Sequence, residues 1–312
     1  MKVLFTGSSS FTGYWFIRTL TEAGHEVTAL FQANELSEYT GIRSDRVQQI
    51  QKQARCVTGI SFGDSLFGEL LAEGYDILCH HGADVTNYKS EDFNFAEALA
   101  KNTKNIQRIV SVCKEKNTQI LLTSSVFEAG QGIGSKPMRA FSPYGLSKTF
   151  TREAFEYFAL TKNIPLKIFT IPNPVGPYEE PRFTNYLVKT WAKGDVPSVN
   201  TPDYIRDNIP VDLLAKCYVL LAEKQAHHSI ERLNPSGYVE SQGEFAIRFA
   251  REFSRRLKKD LQVHLNKQTE FTEPIMRVNT DRAKNLFPDW DENKFWDDWV
   301  QYYVHLYPTL KT

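Results

Sequence analysis

A tyrosine and a lysine four positions apart are the residues whose types and spacing most directly suggest chemistry. Tyr144 and Lys148 stand in the run Y-G-L-S-K, and on a helix this spacing puts both side chains on one face. A phenol has a pKa of about 10 and is a poor base at neutral pH, but a neighbouring ammonium stabilises the phenolate and lowers that pKa. The pair can therefore pass a proton to or from a hydroxyl group, although so short a pattern is equally typical of a surface pair.

A serine at the end of a predicted strand precedes this pair. Ser125 closes the run Q-I-L-L-T-S-S, and ligands of open parallel sheets bind at the carboxyl ends of the strands. A hydroxyl at that place can hydrogen-bond a reacting oxygen and hold it against Tyr144. A lone serine is more often a turn or cap residue, so this prediction depends on the order of the motifs. Ser142 and Pro143 are predicted to cap and to open the helix that carries Tyr144.

A turn rich in small residues follows the first apolar run. Residues 6–13 read T-G-S-S-S-F-T-G, in which Gly7 can make a tight turn and Gly13 lets a helix begin close to the sheet. The backbone N–H groups of such a turn and the helix dipole favour a pyrophosphate. Ser10 takes the middle position of the usual three-glycine pattern and can itself donate to phosphate. The pattern predicts a dinucleotide-binding turn, and the alternative is a plain strand-to-helix connection.

The end of the second predicted strand bears on the choice of dinucleotide. An acidic residue there binds the ribose hydroxyls of NAD and repels the 2′-phosphate of NADP. This sequence has Phe31 and Gln32 at that place, so no carboxylate favours NAD. Arginine is also absent there, although Arg43 or Arg46 can fold back. The cofactor is therefore NAD or NADP, with the preference open.

Strand-like and helix-like patterns alternate through the first half of the chain. Strands are predicted at residues 3–5, 27–31, 76–79, 119–123 and 166–171, and helices at 13–23, 67–72, 94–116 and 144–160. Such alternation argues for a parallel sheet covered on both faces. The predicted fold class is α/β, a Rossmann-type doubly wound parallel sheet with a smaller C-terminal α/β substrate lobe.

The character of the chain changes after the fifth predicted strand. Residues 173–207 are rich in proline, asparagine and tyrosine, and helices are predicted beyond them at 211–224, 244–257 and 292–307, with a short strand-like run at 261–265. We expect a dinucleotide-binding domain at residues 1–172 and a substrate-binding lobe at 173–312, with some exchange of chain between them. The aromatic residues of the last helix have helical spacing and predict core packing rather than a nucleic-acid surface.

Composition excludes several classes of function. The 312 residues include 37 basic and 37 acidic side chains, a balance that gives no reason to expect a nucleic-acid or membrane partner. Four dispersed cysteines favour buried thiols in a reducing compartment, and the N-terminal apolar run is too short for a signal peptide, so a cytoplasmic location is expected. The pairs His80-His81 and His227-His228 are not expected to bind metal, because neighbouring residues of a strand point to opposite faces.

Further motifs give the sequence a family resemblance. They are D-I-L-C-H-H-G-A-D at 76–84, Asn102, I-P-N-P-V-G-P at 171–177 and R-D-N-I-P-V-D-L-L-A at 206–215. With the turn and Y-G-L-S-K, they resemble an extended short-chain dehydrogenase/reductase of the NAD-dependent epimerase/dehydratase family, which acts on nucleotide sugars. The resemblance covers nearly the whole chain.

The resemblance implies roles for individual residues. Ser125, Tyr144 and Lys148 would be catalytic. The residues that would contact the cofactor are Gly7, Ser10, Phe11, Thr12, Gly13, Phe31, Gln32, Gly82, Ala83, Asn102, Tyr144, Lys148 and Pro172. Those that would contact the substrate are Asp84, Ser125, Asn173 and Arg206. An arginine suits a diphosphate through its paired donors, and the alternative for Arg206 is a salt bridge to Asp207 or another carboxylate.

Two departures from the family narrow the implied reaction. Val126 and Phe127 follow the serine where the 4,6-dehydratases have an Asp-Glu pair, which argues against dehydration. The usual V-Y-G is E-A-G at residues 128–130. The expected activity is therefore that of an NAD(P)-dependent nucleotide-sugar epimerase or reductase with Tyr144 as the acid/base. The alternatives are an NADPH-dependent reductase of a non-sugar ketone and a non-catalytic dinucleotide-binding regulator. The family also implies a homodimer formed through the helices at 94–116 and 144–160.

Overall fold

The structure is a computed structural model that describes residues 1–225 and 230–311. The pair His227 and His228 lies outside the described residues. The strands are β1 (Lys2–Phe5), β2 (Glu26–Leu30), β3 (Arg55–Val57), β4 (Ile77–His80), β5 (Gln119–Ser125), β6 (Ile133–Gly134), β7 (Leu166–Ile171), β8 (Asn173–Val175), β9 (Ser198–Val199), β10 (Ile205–Pro210), β11 (Ile230–Leu233), β12 (Pro235–Ser236), β13 (Tyr238–Ser241), β14 (His264–Leu265), β15 (Arg277–Val278) and β16 (Asp281–Arg282).

The α-helices connect and cover these strands. They are α1 (Phe11–Glu22), α2 (Gly41–Gln51), α3 (Ser65–Ala72), α4 (Phe95–Asn102), α5 (Ile106–Glu115), α6 (Pro143–Lys162), α7 (Phe183–Trp191), α8 (Val211–Glu223), α9 (Gln242–Leu257), α10 (Ala283–Leu286) and α11 (Glu292–Leu306), with short 3₁₀ turns at Leu36–Glu38 and Pro308–Leu310. Within the described ranges, no helix is long and apolar enough to span a bilayer.

The main sheet confirms the predicted Rossmann-type fold class. Among the described residues it has seven strands in the order β11-β7-β5-β4-β1-β2-β3, and every neighbouring pair is parallel. The chain leaves β1 toward β2 and β3 on one side and returns to place β4 on the other side. The strand order therefore reverses between β1 and β4, and such a switch point opens a crevice at the carboxyl ends of the strands.

Alternate residues of the strands feed two separate cores. Leu4 and Leu78 point to the face that is covered by α3, α5 and α6, where Phe155 of α6 joins the same apolar cluster. On the other face, Phe16 of α1 stacks on Tyr218 of α8 with ring centroids 4.0 Å apart. Burial on both faces explains why these strands read as nearly continuous apolar runs.

The prediction of one continuous helix at 94–116 is wrong, because the structure has two helices there. The chain breaks between α4 and α5 at Asn105, which adopts the left-handed conformation with φ of 54°. An asparagine tolerates this conformation better than most residues, and its side-chain amide donates to the carbonyl oxygen of Gly63 at 2.8 Å. This contact joins residues far apart in the sequence, so helical periodicity did not indicate the break.

The start of α6 agrees with its sequence signals. Ser142 is the N-cap, its hydroxyl accepts the N–H of Gly145 at 3.2 Å, and Pro143 occupies the first turn. The predicted cap is therefore confirmed. The helix continues to Asn163, whose left-handed conformation ends it.

The chain divides into two compact units. The first consists of Met1–Gln131, Met138–Ile171 and Ala215–Asn234, and contains the seven-stranded sheet. The second consists of Gly132–Pro137, Pro172–Leu214 and the described chain from Pro235 onward. The functional assignment of the units, with cofactor binding in one and substrate binding in the other, stays a prediction.

The second unit contains a three-stranded sheet and an aromatic core. The sheet has the order β13-β10-β8, with β10 antiparallel to β13 and parallel to β8. Phe249 of α9 packs against Trp296 and Trp299 of α11, with ring centroids 5.9 Å and 4.9 Å away. Both tryptophans are buried, which confirms the predicted core packing of the last helix. The strands β8 and β10 and the helix α7 were not predicted, because their polar residues and prolines obscure any regular period.

Candidate active site

The turn after β1 is built on two glycines. Gly7 has a φ of +77°, and a Cβ placed on it would lie 2.8 Å from the Cα of Gly82. A Cβ placed on Gly13 would lie 2.4 Å from the carbonyl oxygen of Gly7. The turn, the first turn of α1 and the segment after β4 therefore approach one another at distances that exclude side chains.

Ser10 is the N-cap of α1 and holds this turn closed. Its hydroxyl accepts the N–H of Gly13 at 3.1 Å and donates to the carbonyl oxygen of Gly7 at 2.8 Å. The sequence predicted that this hydroxyl donates to phosphate. In the structure the hydroxyl accepts as a helix cap and donates to Gly7, and its donation to a phosphate stays a prediction.

A buried histidine connects the turn to the end of β5. His81 Nε2 lies 3.1 Å from both Ser10 Oγ and Thr12 Oγ1, and its Nδ1 lies 3.0 Å from Thr123 Oγ1. Burial, followed by the charge of Lys148, lowers the pKa of His81 to about 3, so the ring is neutral at physiological pH. This structural role of His81 was not predicted from the sequence, in which the residue was considered only as a metal ligand.

The neighbouring histidine has different partners. His80 Nδ1 lies 3.1 Å from Thr6 Oγ1, and its Nε2 lies 3.1 Å from the carbonyl oxygen of Asn102. Asn102 ends α4, is buried, and donates through Nδ2 to Thr151 Oγ1 of α6 at 3.3 Å. Within residues 1–225 and 230–311, no group of three His, Cys, Asp or Glu side chains is arranged to hold a metal ion.

The segment after β4 runs beside the glycine turn. The N–H of Gly82 donates to Thr6 Oγ1 at 2.9 Å, which fixes Gly82 and the following Ala83 next to the carboxyl end of β1. Asp84 then pairs with Lys101 of α4, with 3.4 Å between Oδ2 and Nζ. The predicted cofactor residues Gly82 and Ala83 therefore come together with the turn, while the Asp84 carboxylate has a partner on α4.

The residues after β2 differ in exposure. Phe31 is buried and makes a T-shaped contact with Tyr39, at 5.8 Å between ring centroids, and Gln32 is exposed. Of the two arginines considered for this region, Arg46 is buried in α2 and Arg43 is exposed. The exposed side chain directly after β2 is therefore the uncharged Gln32.

Lys148 is fixed to the end of β5 from the helix above it. Its side chain is buried at 4% exposure, and Nζ donates to the carbonyl oxygen of Thr123 at 2.7 Å. Burial lowers the pKa of Lys148, and the opposite charge of Glu128 works against that lowering. Tyr144 lies one turn earlier on α6, is half-buried, and makes a T-shaped ring contact with Tyr88 at 5.6 Å between centroids.

Ser125 lies at the last position of β5. Its Oγ accepts the N–H of Phe127 at 3.3 Å, and a hydroxyl that accepts in this way still has its own proton to donate. Its backbone N–H donates to Glu128 Oε1 at 3.0 Å. Ser125 and the carbonyl group of Thr123 that binds Lys148 therefore lie within three residues of each other at the end of β5.

Sequence reasoning missed Glu128. This carboxylate is fully buried and bonds to Arg152 of α6, with 3.0 Å between Oε2 and Nε. Burial raises the pKa of Glu128, while Lys148 and Arg152 oppose that rise. The available signal was the departure E-A-G from V-Y-G, since an acidic residue in place of an apolar one inside a fold needs a charged partner.

The predicted substrate residues Asn173 and Arg206 belong to the second unit. Asn173 follows the buried Pro172, opens β8 and donates through its amide to the side-chain oxygen of Asn208. Because Asn208 is its direct partner in β10 and Arg206 lies two positions earlier, all three side chains share one face of the small sheet.

The guanidinium of Arg206 is held by a carboxylate distant in sequence. Its Nη2 lies 2.6 Å from Glu273 Oε2, and it lies over the ring of Tyr204 at 4.4 Å from the centroid. Adjacent Asp207 is not the partner, because its two oxygens accept the N–H groups of Gly237 and Asn279 at 2.7 Å and 2.9 Å. The alternative of a salt bridge to another carboxylate is therefore realised through Glu273.

The first unit fits a dinucleotide. The two glycines make a concave turn that a Cβ would fill, the 12-residue helix α1 begins directly after it, and residues 11–14 of its first turn carry uncharged side chains. Backbone N–H groups at such a helix start bind a pyrophosphate. The residues that would hold it are those of the turn, including Phe11 and Thr12, together with Gly82.

Family comparison agrees with this geometry. Residues 3–234, about three quarters of the chain, match the family described as the NAD dependent epimerase/dehydratase family. The chain belongs to this family. It is accordingly an enzyme of the extended short-chain dehydrogenase/reductase type. NAD is the cofactor that the description of the family names.

Individual relatives are more distant. A protein of Bacillus subtilis described as an uncharacterized UDP-glucose epimerase is 28% identical over 116 residues, which are 36% of this chain and 37% of that protein. The matched part therefore spans little more than a third of that relative.

Solved structures share the whole fold. A UDP-glucuronic acid 4-epimerase from Bacillus cereus, solved with UDP-glucuronic acid and NAD, has a TM-score of 0.74 at 17% identity, covering 98% of this chain and 100% of that one. A UDP-glucose 4-epimerase from Thermotoga maritima has a TM-score of 0.75 at 15% identity, covering 98% and 99%. At these identities the likeness establishes the fold of this chain.

Proposed function

We propose that this protein is an NAD-dependent epimerase of a nucleotide sugar, an isomerase that works through a transient oxidation of its substrate. The observation that carries the proposal is the buried Lys148, which is anchored at the end of β5 close to Ser125 and one helical turn from Tyr144. A family member with this set of side chains has the groups that proton transfer at a hydroxyl requires. Val126 and Phe127 lack the acid and base of a dehydratase, which leaves epimerisation or reduction.

Tyr144, Lys148 and Ser125 would each have a separate role in the reaction. Tyr144 removes the proton of a sugar hydroxyl and later returns it. Lys148 stabilises the phenolate form of Tyr144 by its positive charge and orients the ribose of the cofactor. Ser125 donates a hydrogen bond to the reacting oxygen. NAD, when bound, supplies the hydride acceptor for the oxidation of the sugar carbon and the donor for its reduction.

The nucleotide-sugar part of the proposal rests on the second unit. Asn173 and Arg206 share one face of the small sheet, and Arg206 has the paired donors that suit a diphosphate. The compared epimerases act on UDP-sugars or are solved with them, which supports a uridine nucleotide. A bound diphosphate would compete with Glu273 for the guanidinium.

One experiment tests the proposal directly. Purified protein is denatured, the released cofactor is identified by mass spectrometry, and a panel of UDP-sugars is incubated with the enzyme and analysed for epimers by NMR. Retained NAD and an epimer that the Tyr144→Phe variant does not form are the expected results. A panel that shows no conversion, with NAD binding intact in both proteins, would contradict it and favour a non-catalytic dinucleotide-binding regulator.

A reductase is the second candidate, and the residues after β2 favour it. An epimerase must retain its dinucleotide because the hydride returns to the same sugar, and the exposed Gln32 provides no carboxylate for the ribose of NAD. An enzyme purified without cofactor that consumes NADPH in the presence of a ketone would support this reading. The ketone is then a keto-sugar nucleotide, or a non-sugar ketone if Arg206 has no effect on its affinity.

We also propose a cytoplasmic homodimer. Four apolar side chains on the outer face of α6 are exposed, namely Leu146, Phe150, Tyr157 and Leu160. Phe150 also contacts Phe95 of α4, with ring centroids 5.7 Å apart. An apolar helix face of this kind suits association with a second copy.

A further inference from the structure

We propose that Glu128 is a positioning residue for the reaction, whose buried carboxylate fixes the backbone at Ser125 and keeps the Lys148 side chain charged. The inference rests on the proposed roles of Ser125, Tyr144 and Lys148. It extends them to a residue that stands where the family's V-Y-G motif has valine.

The contacts of Glu128 place it between β5 and α6. Oε1 accepts the backbone N–H of Ser125 at 3.0 Å, while Oε2 bonds to Arg152 Nε at 3.0 Å. Lys148 donates to the carbonyl oxygen of Thr123, two residues before Ser125. The carboxylate and the ammonium therefore bind the same strand end within three residues of each other.

The spacing of residues along α6 is a second reason to place Glu128 close to Lys148. Tyr144, Lys148 and Arg152 are successive members of an i, i+4, i+8 series, so their side chains leave α6 along one stripe. Glu128 contacts the last member of this stripe directly. A carboxylate at this position faces the side of the helix that carries the proton-transfer pair.

The buried charges around Lys148 balance only if Glu128 is ionised. His80 at the end of β4 and His81 directly after it add no charge near Lys148, because burial lowers the pKa of each to about 3 and both are neutral. Arg152 bonds to Glu128 and, through Nη1, to Glu156 at 2.8 Å. Arg152 also pairs with the exposed Glu153 at 3.0 Å, and Glu156 pairs with Arg232 at 3.0 Å. The three cations Lys148, Arg152 and Arg232 are thus matched by three carboxylates, and protonation of Glu128 would leave an excess positive charge.

The charge of Glu128 affects the protonation of Lys148. An uncompensated ammonium in a buried site loses its proton readily, and a neutral lysine cannot stabilise the phenolate of Tyr144. With its attraction for Lys148, Glu128 raises the pKa of that lysine against the effect of burial. We therefore expect Glu128 to extend activity toward alkaline pH and to act on turnover more than on substrate affinity.

The test compares variants that differ in which carboxylate is lost. Glu128→Gln alone removes the buried partner of Arg152 Nε, leaves that guanidinium with Glu153 and Glu156, and can impair folding. The matched pair is therefore Glu128→Gln/Arg152→Gln and Glu156→Gln/Arg152→Gln, which remove the same arginine and one of its three carboxylate partners. The titration of Lys148 is followed by NMR on protein labelled with ¹³C-lysine, with its signal assigned from Lys148→Arg.

The outcomes are distinct. We expect the Lys148 midpoint to lie at least about 1 pH unit lower in the Glu128 double variant than in the Glu156 double variant. The alkaline limb of kcat/KM should move by the same amount, with kcat falling more than KM rises. Equal midpoints in the two double variants overturn the inference. The NMR titration needs no turnover, so it remains decisive even if no nucleotide sugar proves to be a substrate.

Discussion

The ammonium of Lys148 donates a 2.7 Å hydrogen bond to the carbonyl oxygen of Thr123. This bond holds a side chain of α6 at the carboxyl end of β5, which is an interior strand of the main sheet. A point charge held in this way acts on its surroundings without first having to be ordered, which is what electrostatic stabilisation of a transition state requires.

Lys148→Met should therefore lower kcat by about 10²- to 10⁴-fold, because the charge is lost while the apolar stem is retained. Steady-state assays with the substrate found in the epimer panel measure the effect, and circular dichroism checks the fold. Lys162→Met is the matched control, since this exposed residue ends the same helix. A folded Lys148→Met enzyme with undiminished kcat would remove this lysine from the reaction.

Gly13→Ala should weaken dinucleotide binding at least tenfold. Its Cβ would lie 2.4 Å from the carbonyl oxygen of Gly7, so the turn has to move, at a cost of about 1–3 kcal/mol in stability. Calorimetric titration with NAD and thermal unfolding measure both effects. Gly68→Ala is the control, because its Cβ meets nothing nearer than 3.9 Å, at Arg108. Equal NAD affinity in the two variants would show that the turn does not contact the dinucleotide.

Arg206→Gln should raise KM for the nucleotide sugar about 10- to 100-fold, since a charge-assisted hydrogen bond contributes about 1.5–3 kcal/mol, and should change kcat much less. The control is Arg248→Gln, because Arg248 also lies over a tyrosine and pairs with a glutamate, at 4.7 Å from the Tyr238 centroid and 2.8 Å from Glu240. If both variants raise KM equally, or neither does, the diphosphate role of Arg206 is wrong.

Glu179 should make the stability of the protein depend on pH. Burial raises the pKa of this carboxyl from 4.5 to about 8, against the lowering effect of a hydrogen bond from Tyr303. Between these values the folded protein holds a proton that the unfolded chain releases, so the free energy of unfolding decreases as pH rises toward 8.

Glu179→Gln should remove that dependence. Relative to the wild type, the free energy of unfolding of this variant should rise by on the order of 1.36 kcal/mol for each unit of the pKa difference that is titrated. The difference should be largest above pH 8. Denaturant unfolding at a series of pH values measures this, and the exposed Glu270→Gln is the control. Parallel pH profiles for wild type and Glu179→Gln would contradict the prediction.

Phe150→Glu should separate the proposed homodimer. Phe150 is 47% exposed on α6, and a carboxylate there would be desolvated at the interface. Light scattering at micromolar concentration should give the mass of one chain for this variant and of two chains for the wild type. Leu66→Glu, on α3 at 54% exposure, should leave the dimer intact. A wild-type mass equal to one chain would contradict the dimer itself.

The sequence by itself determined the parts of the molecule that depend on local rules. Alternating apolar runs and helical periods predicted the parallel sheet, and β7 was predicted with the bounds that the structure has. Ser142 and Pro143 predicted the start of α6, because capping involves residues within one turn. The motifs at 6–13 and 144–148 indicated the family that the match over residues 3–234 confirms.

Tertiary structure alone decided the features that join distant residues. Asn105 breaks a predicted helix because it reaches Gly63, and Arg206 is paired with Glu273, 67 positions away. Glu128 illustrates the physical reason. Its sequence position marks only an acidic residue in place of an apolar one, and the meaning of a buried charge depends on which opposite charges the fold brings to it, here from Lys148 and Arg152 on α6.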